Sequence, residues 1–115
     1  MPIIIAGTID LPPEKRDAAL EAGKPLMVPV RAWKGCLDYV WSADPLTPGR
    51  IYVFERWETT EDLAAHLEGP HYLAMRNSMG GFGLLGVDVS KFEVARQEPV
   101  YDPTGKARAD FFTDA

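Results

Sequence analysis

Three of the four strand-like segments in this chain are apolar on both faces, and no other feature restricts the fold as much. In residues 3–10, Ile3 and Ile5 oppose Ile4 and Ala6. In residues 35–44, simple alternation sets Leu37, Tyr39 and Trp41 against Cys36, Asp38 and Val40. In residues 50–58, Tyr52 and Phe54 lie opposite Ile51, Val53 and Trp57. A sheet with one wet face alternates apolar and polar residues. Two helices can cover only one face of such a sheet. The simplest cover for the other is the same sheet of a second copy, so a homodimer is expected. The alternatives are a monomer with an apolar patch, or a face covered by the C-terminal tail.

The helical segments fall between the strands. Pro12, Pro13 and Glu14 suit a first helical turn, and Ala19, Leu20, Ala22, Leu26 and Met27 form an apolar stripe. Gly23, Pro25 and Pro29 predict a kink or an early end near Pro25. "PLTPG" is turn chemistry, and it makes residues 35–44 and 50–58 a hairpin. Thr59 caps the next helix, with Asp62 at capping-box spacing. Gly69-Pro70 interrupts it and starts another over 70–79. A glycine-rich loop follows, then a fourth strand over 89–97. The order is β-α-β-β-α-β, which predicts an α+β, ferredoxin-like fold with an antiparallel four-stranded sheet. Residues 1–97 make the domain. Residues 98–115 are an irregular extension, and Phe111 and Phe112 predict that it packs on its own or a partner protomer.

The chain has 115 residues, one domain's length, with 46% hydrophobic and 25% charged residues. Its net charge of -5 and the lack of a basic run argue against nucleic acid. No run approaches the length of a membrane span. The opening lacks the charged start and long apolar core of a signal peptide, and the lone Cys36 forms no internal disulfide. A cytoplasmic setting is expected.

"GFGLLG" (81–86) matches G-x-G-x-x-G, but it follows a helix and precedes a strand. Phosphate binding needs the reverse context. The segment reads as a mobile connection, or as a lid with Phe82 and Leu84 facing a ligand. His66 and His71 are five apart and split by Gly69-Pro70, which does not suit a metal pair. Leu63, His66 and Leu67 share one helix face, so His66 points at the sheet. Spacing alone favours a core histidine bonded to a backbone carbonyl over a neutral pocket histidine that exchanges protons. His71, at a helix start, suits a neutral hydrogen-bonding role. Tyr39, Trp41, Tyr52, Phe54, Trp57 and Tyr72, with Met75 and Met79, fit a core or an apolar pocket for a flat aromatic or polyketide-like ligand. Glu55 and Arg56 are expected in interface or rim ion pairs.

The stretch from Gly35-Cys36-Leu37 and Tyr39, through Glu55-x-Trp57 and His66, to Pro70-His71-Tyr72 resembles the antibiotic biosynthesis monooxygenase (ABM) family. The resemblance covers most of residues 3–94 and leaves the tail outside. It implies a dimeric α/β barrel, two ferredoxin-like sheets packed face to face. It also implies oxidation of phenols or quinols with O2, the substrate supplying the electrons and no metal or flavin taking part. Trp57 and His66 match the family's site positions and become the catalytic candidates. Tyr39 and Tyr72 match less specifically. Trp41, Phe54, His71, Met75, Met79 and Phe82 complete the expected substrate-binding set. Haem-degrading relatives use a first-strand asparagine where this chain offers Ala6, Gly7 and Thr8, so no cofactor is expected. Three readings stand at this point: a cofactor-independent monooxygenase, an isomerase or lyase using His66 as acid/base, and a non-catalytic small-molecule-binding dimer.

Overall fold

A computed structural model describes residues 1–113. The elements in chain order are β1 (Ile3–Asp10), α1 (Arg16–Arg31), β2 (Cys36–Ala43), β3 (Arg50–Trp57), α2 (Thr60–Leu67), α3 (Pro70–Gly80) and β4 (Gly86–Glu93). The four strands form one antiparallel sheet in the order β2-β3-β1-β4. This is the expected ferredoxin-like α+β fold, with the second helical segment divided in two. All three helices lie on one face.

The division falls at Gly69-Pro70. Thr59 begins α2 as predicted, its Oγ1 accepting the Asp62 N–H at 3.0 Å. Pro70 then occupies the first turn of α3, where its missing N–H costs nothing.

α1 departs from expectation. It does not end near Pro25 but continues to Arg31. Its start is also later, since Pro12 and Pro13 lie in the turn before it. Each internal proline removes a backbone bond, yet Pro25 and Pro29 are one turn apart and Pro25 faces solvent. The opposite side buries Ala19, Gly23, Met27 and Val30, and helices in proteins draw most of their stability from such packing. Gly23 helps by being small. A Cβ there would stand 3.1 Å from the Met79 methyl, so glycine lets α1 approach α3.

The bulge between Cys36 and Asp38 changes the faces of β2. Cys36 pairs with Trp57, and Tyr39 pairs with Glu55. Cys36 therefore shares the helix-side face with Tyr39 and Trp41, not the face of Val40. β4 starts and ends earlier than predicted because Gly86 to Glu93 pair along β1.

The helix-side core contains Ile3, Ile9, Ile51, Val53, Trp57, Leu63, Met75 and Met79. Among the described residues nothing covers the outer face. Val40, Tyr52, Phe54 and Phe92 stand on it, with Phe92 52% exposed. Beyond β4, the side-chain hydrogen bonds of the tail described here stay within residues 96–113. Asp102 holds a turn through Thr104 and Lys106, and Glu98 accepts from the backbone of Phe112 and Thr113. Val100, Tyr101 and Phe111 remain exposed.

Candidate functional site

The cleft lies between the sheet and the α2–α3 pair. Its volume is about 690 Å³, within the usual range for small-molecule sites. α3 packs mainly on α1 and leaves space over the β1–β4 half of the sheet. Tyr39, Trp41, Val53 and Glu55 form the floor. His66, Tyr72, Met75 and Met79 form the roof. Leu84, Val87 and Val89 make the far side, and the exposed cations Arg76 and Lys91 stand at the rim.

His66 is 2% exposed. Its ring stacks on Trp57, centroids 4.6 Å apart, at an interplanar angle of 25°. Tyr39 and Tyr72 meet it edge-on at 6.0 and 6.1 Å. Burial pushes its pKa down, and the neighbouring His71 adds to that, so the ring is neutral near pH 7. Trp57 is fully buried and lies behind His66, outside the cleft lining.

Glu55 is not a rim residue. It is 6% exposed and in no ion pair among the described residues. The period of the strand explains this: Val53, Glu55 and Trp57 are alternate residues and share the helix-side face. One carboxylate oxygen, Oε1, accepts the Trp57 indole N–H at 3.1 Å. Burial pushes the carboxyl up to about 7, and the indole bond only partly opposes this. Arg56, pointing the other way, does form an ion pair, with Asp38 at 2.7 Å.

Tyr39 sits opposite Glu55 in the ladder. Burial, and then the Glu55 charge, push its phenol above the ordinary value, so it stays a neutral hydrogen-bond group. The Trp41 indole N–H is buried without an acceptor in good geometry. It stands close enough to the Tyr39 hydroxyl to oppose in part the rise in that phenol's pKa.

The structure thus brings together Tyr39, Trp41, His66, Tyr72, Met75 and Met79 around the cleft. It does not bring Phe54, which stands on the outer face, 38% exposed. His71 meets the edge of Trp33 at 5.3 Å and does not line the cleft. Phe82 packs against the core, while Leu84 takes the cleft position in the same loop. Sequence reasoning missed Glu55, and the missed signal was a lone carboxylate amid an otherwise apolar period-2 face. Among the described residues no three His, Cys, Asp or Glu side chains converge as a metal site.

A model of the antibiotic biosynthesis monooxygenase family matches residues 2–78. The chain belongs to the antibiotic biosynthesis monooxygenase family. The matched stretch contains Tyr39, Glu55, Trp57, His66 and Tyr72, and leaves the β4 side of the cleft outside. An uncharacterized protein of Synechocystis sp. is 27% identical over 71 residues, covering 62% of this chain and 48% of the relative. The chain thus spans about half the length of that curated relative. Among solved structures, a Deinococcus radiodurans protein provisionally named an antibiotic biosynthesis monooxygenase superposes with a TM-score of 0.77 at 19% identity, covering 89% of this chain and 100% of the other. A Pseudomonas aeruginosa protein is 29% identical with a TM-score of 0.66, covering 84% and 95%. These agree with the ABM fold, and among the described residues no helix is long and apolar enough to cross a membrane.

Proposed function

We propose that this ABM protein is a cofactor-independent oxygenase of a phenol, quinol or polyketide-like aromatic, working as a homodimer. The observation that carries the reading is an apolar cleft whose wall holds a buried, neutral histidine stacked on a tryptophan. The cleft accepts a flat ring between the Tyr39–Trp41 floor and the methionines of α3. Reaction of a quinol with O2 gives a hydroxyquinone and water. One oxygen atom enters the ring, and the other leaves as water. Both reducing electrons come from the quinol. Two substrate protons, one from a hydroxyl and one from the ring carbon, end on the departing oxygen. His66 is the acid/base that carries one of these, with Trp57 fixing its ring.

The dimer is supported by the uncovered apolar outer face, which another copy of the same sheet would cover. The exposed Val100, Tyr101 and Phe111 of the tail favour packing of residues 98–115 on the partner protomer.

Oxygen uptake with a panel of hydroquinones tests the activity. Uptake with one quinol consumed per O2 is expected. Turnover of a carbonyl substrate without oxygen would instead support the isomerase or lyase reading, which two buried titratable groups in one cleft also favour. Tight binding without turnover would leave a ligand-binding dimer.

A further inference from the structure

The two protons of that reaction need two carriers, and His66 is one. The cleft contains a second buried group able to accept a proton. Glu55 lies in the middle of the floor, flanked on its strand by Val53 and Trp57 and across the ladder by Tyr39 and Ile5. Its Oε1 is held by the Trp57 indole, which fixes the side chain. Its other oxygen has no hydrogen-bond donor among the described residues and is left for whatever occupies the cleft. The ring that stacks on His66 is therefore also the ring that pins Glu55, so one tryptophan positions both groups.

We propose that Glu55 is a catalytic residue of this cleft, whose free carboxylate oxygen takes the hydrogen bond, and then the proton, of the substrate's phenolic hydroxyl. This rests on the oxygenase reading for its last step, but the binding step stands without it. A carboxylate accepts and never donates, and a charge-assisted bond to it is about twice as strong as a neutral one. A neutral imidazole offers less to the same hydroxyl. Transfer of the proton leaves a phenolate and a neutral carboxylic acid, so no net charge is created in the apolar cleft. The phenolate is the species that gives electrons to O2. His66 then takes the ring proton of the oxygen adduct while the C–H pair forms the new carbonyl. The O–O bond breaks with its pair on the leaving oxygen, which collects both protons as water.

The groups facing Glu55 constrain its titration. From β2 they are Tyr39 and Cys36, whose own pKa values are raised by burial and then by the Glu55 charge. From β3 there is the Trp57 N–H, from α2 His66, from α3 Tyr72 with Arg76 at the rim, and from β4 Lys91 at the rim. Among the described residues no buried Lys or Arg stands against Glu55 to keep it ionised, and its carboxyl titrates at about 7.

The test is calorimetric binding of 2-naphthol to the full chain at pH 6 and pH 8, each in two buffers of different ionisation enthalpy. A bound hydroxyl that requires the carboxylate releases close to one proton per site at pH 6, since a group titrating near 7 is then about nine-tenths protonated, and almost none at pH 8. Glu55→Gln retains an oxygen for the Trp57 N–H. It is expected to abolish the proton release and weaken binding at pH 8 by roughly tenfold. His66→Gln is expected to retain the release. Wild-type binding at pH 6 without proton release overturns the proposal even if Glu55→Gln fails to fold. The same release from Glu55→Gln, or no binding of naphthol at millimolar concentration, overturns it as well. If proton release follows Glu55 but no quinol drives oxygen uptake, the oxygenase reading fails and Glu55 remains the hydroxyl-binding group.

Discussion

A carboxyl group that is neutral when folded and ionised when unfolded makes stability depend on pH. Glu55 titrates at about 7 in the fold against an ordinary 4.5. Below 4.5 both states hold the proton, and the group contributes no difference. Between 4.5 and 7 the folded state binds more protons, so its contribution to stability falls as pH rises. We predict that Glu55→Gln is no more stable than wild type at pH 4.5, and that its relative stability grows to about 2–3 kcal/mol at pH 8. Urea unfolding at the two pH values measures it, and a pH-independent difference would contradict the buried carboxyl. His66 acts in the opposite direction. Its lowered pKa means that its contribution is present above the unfolded value of 6.5 and is lost as pH falls through the folded one. We further predict that Trp57→Phe keeps the stack on His66 but removes the bond to Glu55, raising the Glu55 pKa beyond its present value. Carboxyl titration followed by NMR would read this. Only part of this residue-scale chemistry was legible. His66 was placed by its helix spacing with Leu63. Glu55 was not, because its neighbour Arg56 invited an ion-pair reading that the strand's alternation forbids.

At the scale of elements, local chemistry determined the α2–α3 wall. The Thr59 cap and the Gly69-Pro70 break are sequence signals with direct mechanisms, and both occur where predicted. Thr59→Ala is expected to cost about 1 kcal/mol through the lost bond to Asp62 N–H, seen as a lower urea midpoint. Gly7 marks a different constraint. A Cβ there would meet the Asp88 carbonyl oxygen at 2.1 Å, in the ladder between β1 and β4. Gly7→Ala therefore forces the backbones apart, and we predict a loss of more than about 2 kcal/mol together with faster amide exchange along β4. α1 was misjudged. Proline chemistry is local, whereas the burial of Ala19, Met27 and Val30 that holds the helix through Pro25 comes from distant elements.

For the whole molecule, the sheet's outer face dominates. Val40, Tyr52, Phe54 and Phe92 lie across its breadth, and isolated patches of that kind rarely remain uncovered. In the dimer reading, Phe54→Lys leaves the cleft intact and places a charge against the partner. A shift from dimer to monomer by light scattering, with naphthol binding retained, is the expected result. A wild-type monomer in dilute solution would sink the dimer. The tail can be tested in the same way: removing residues 98–115 should weaken the dimer without unfolding the monomer.

The sequence by itself determined the order of elements along the chain, the helix break, the two-faced sheet and the placing of His66 toward it. Each follows from local periodicity, caps and turn residues acting over a few positions. The tertiary structure alone decided the rest. It carried α1 past two prolines, turned Cys36 inward at a bulge, and sent Phe54, His71 and Phe82 away from the cleft. It also buried Glu55 on the floor beneath α2 and α3. These outcomes depend on which surfaces meet, and a carboxylate gains its raised pKa only when distant elements close over it and exclude water.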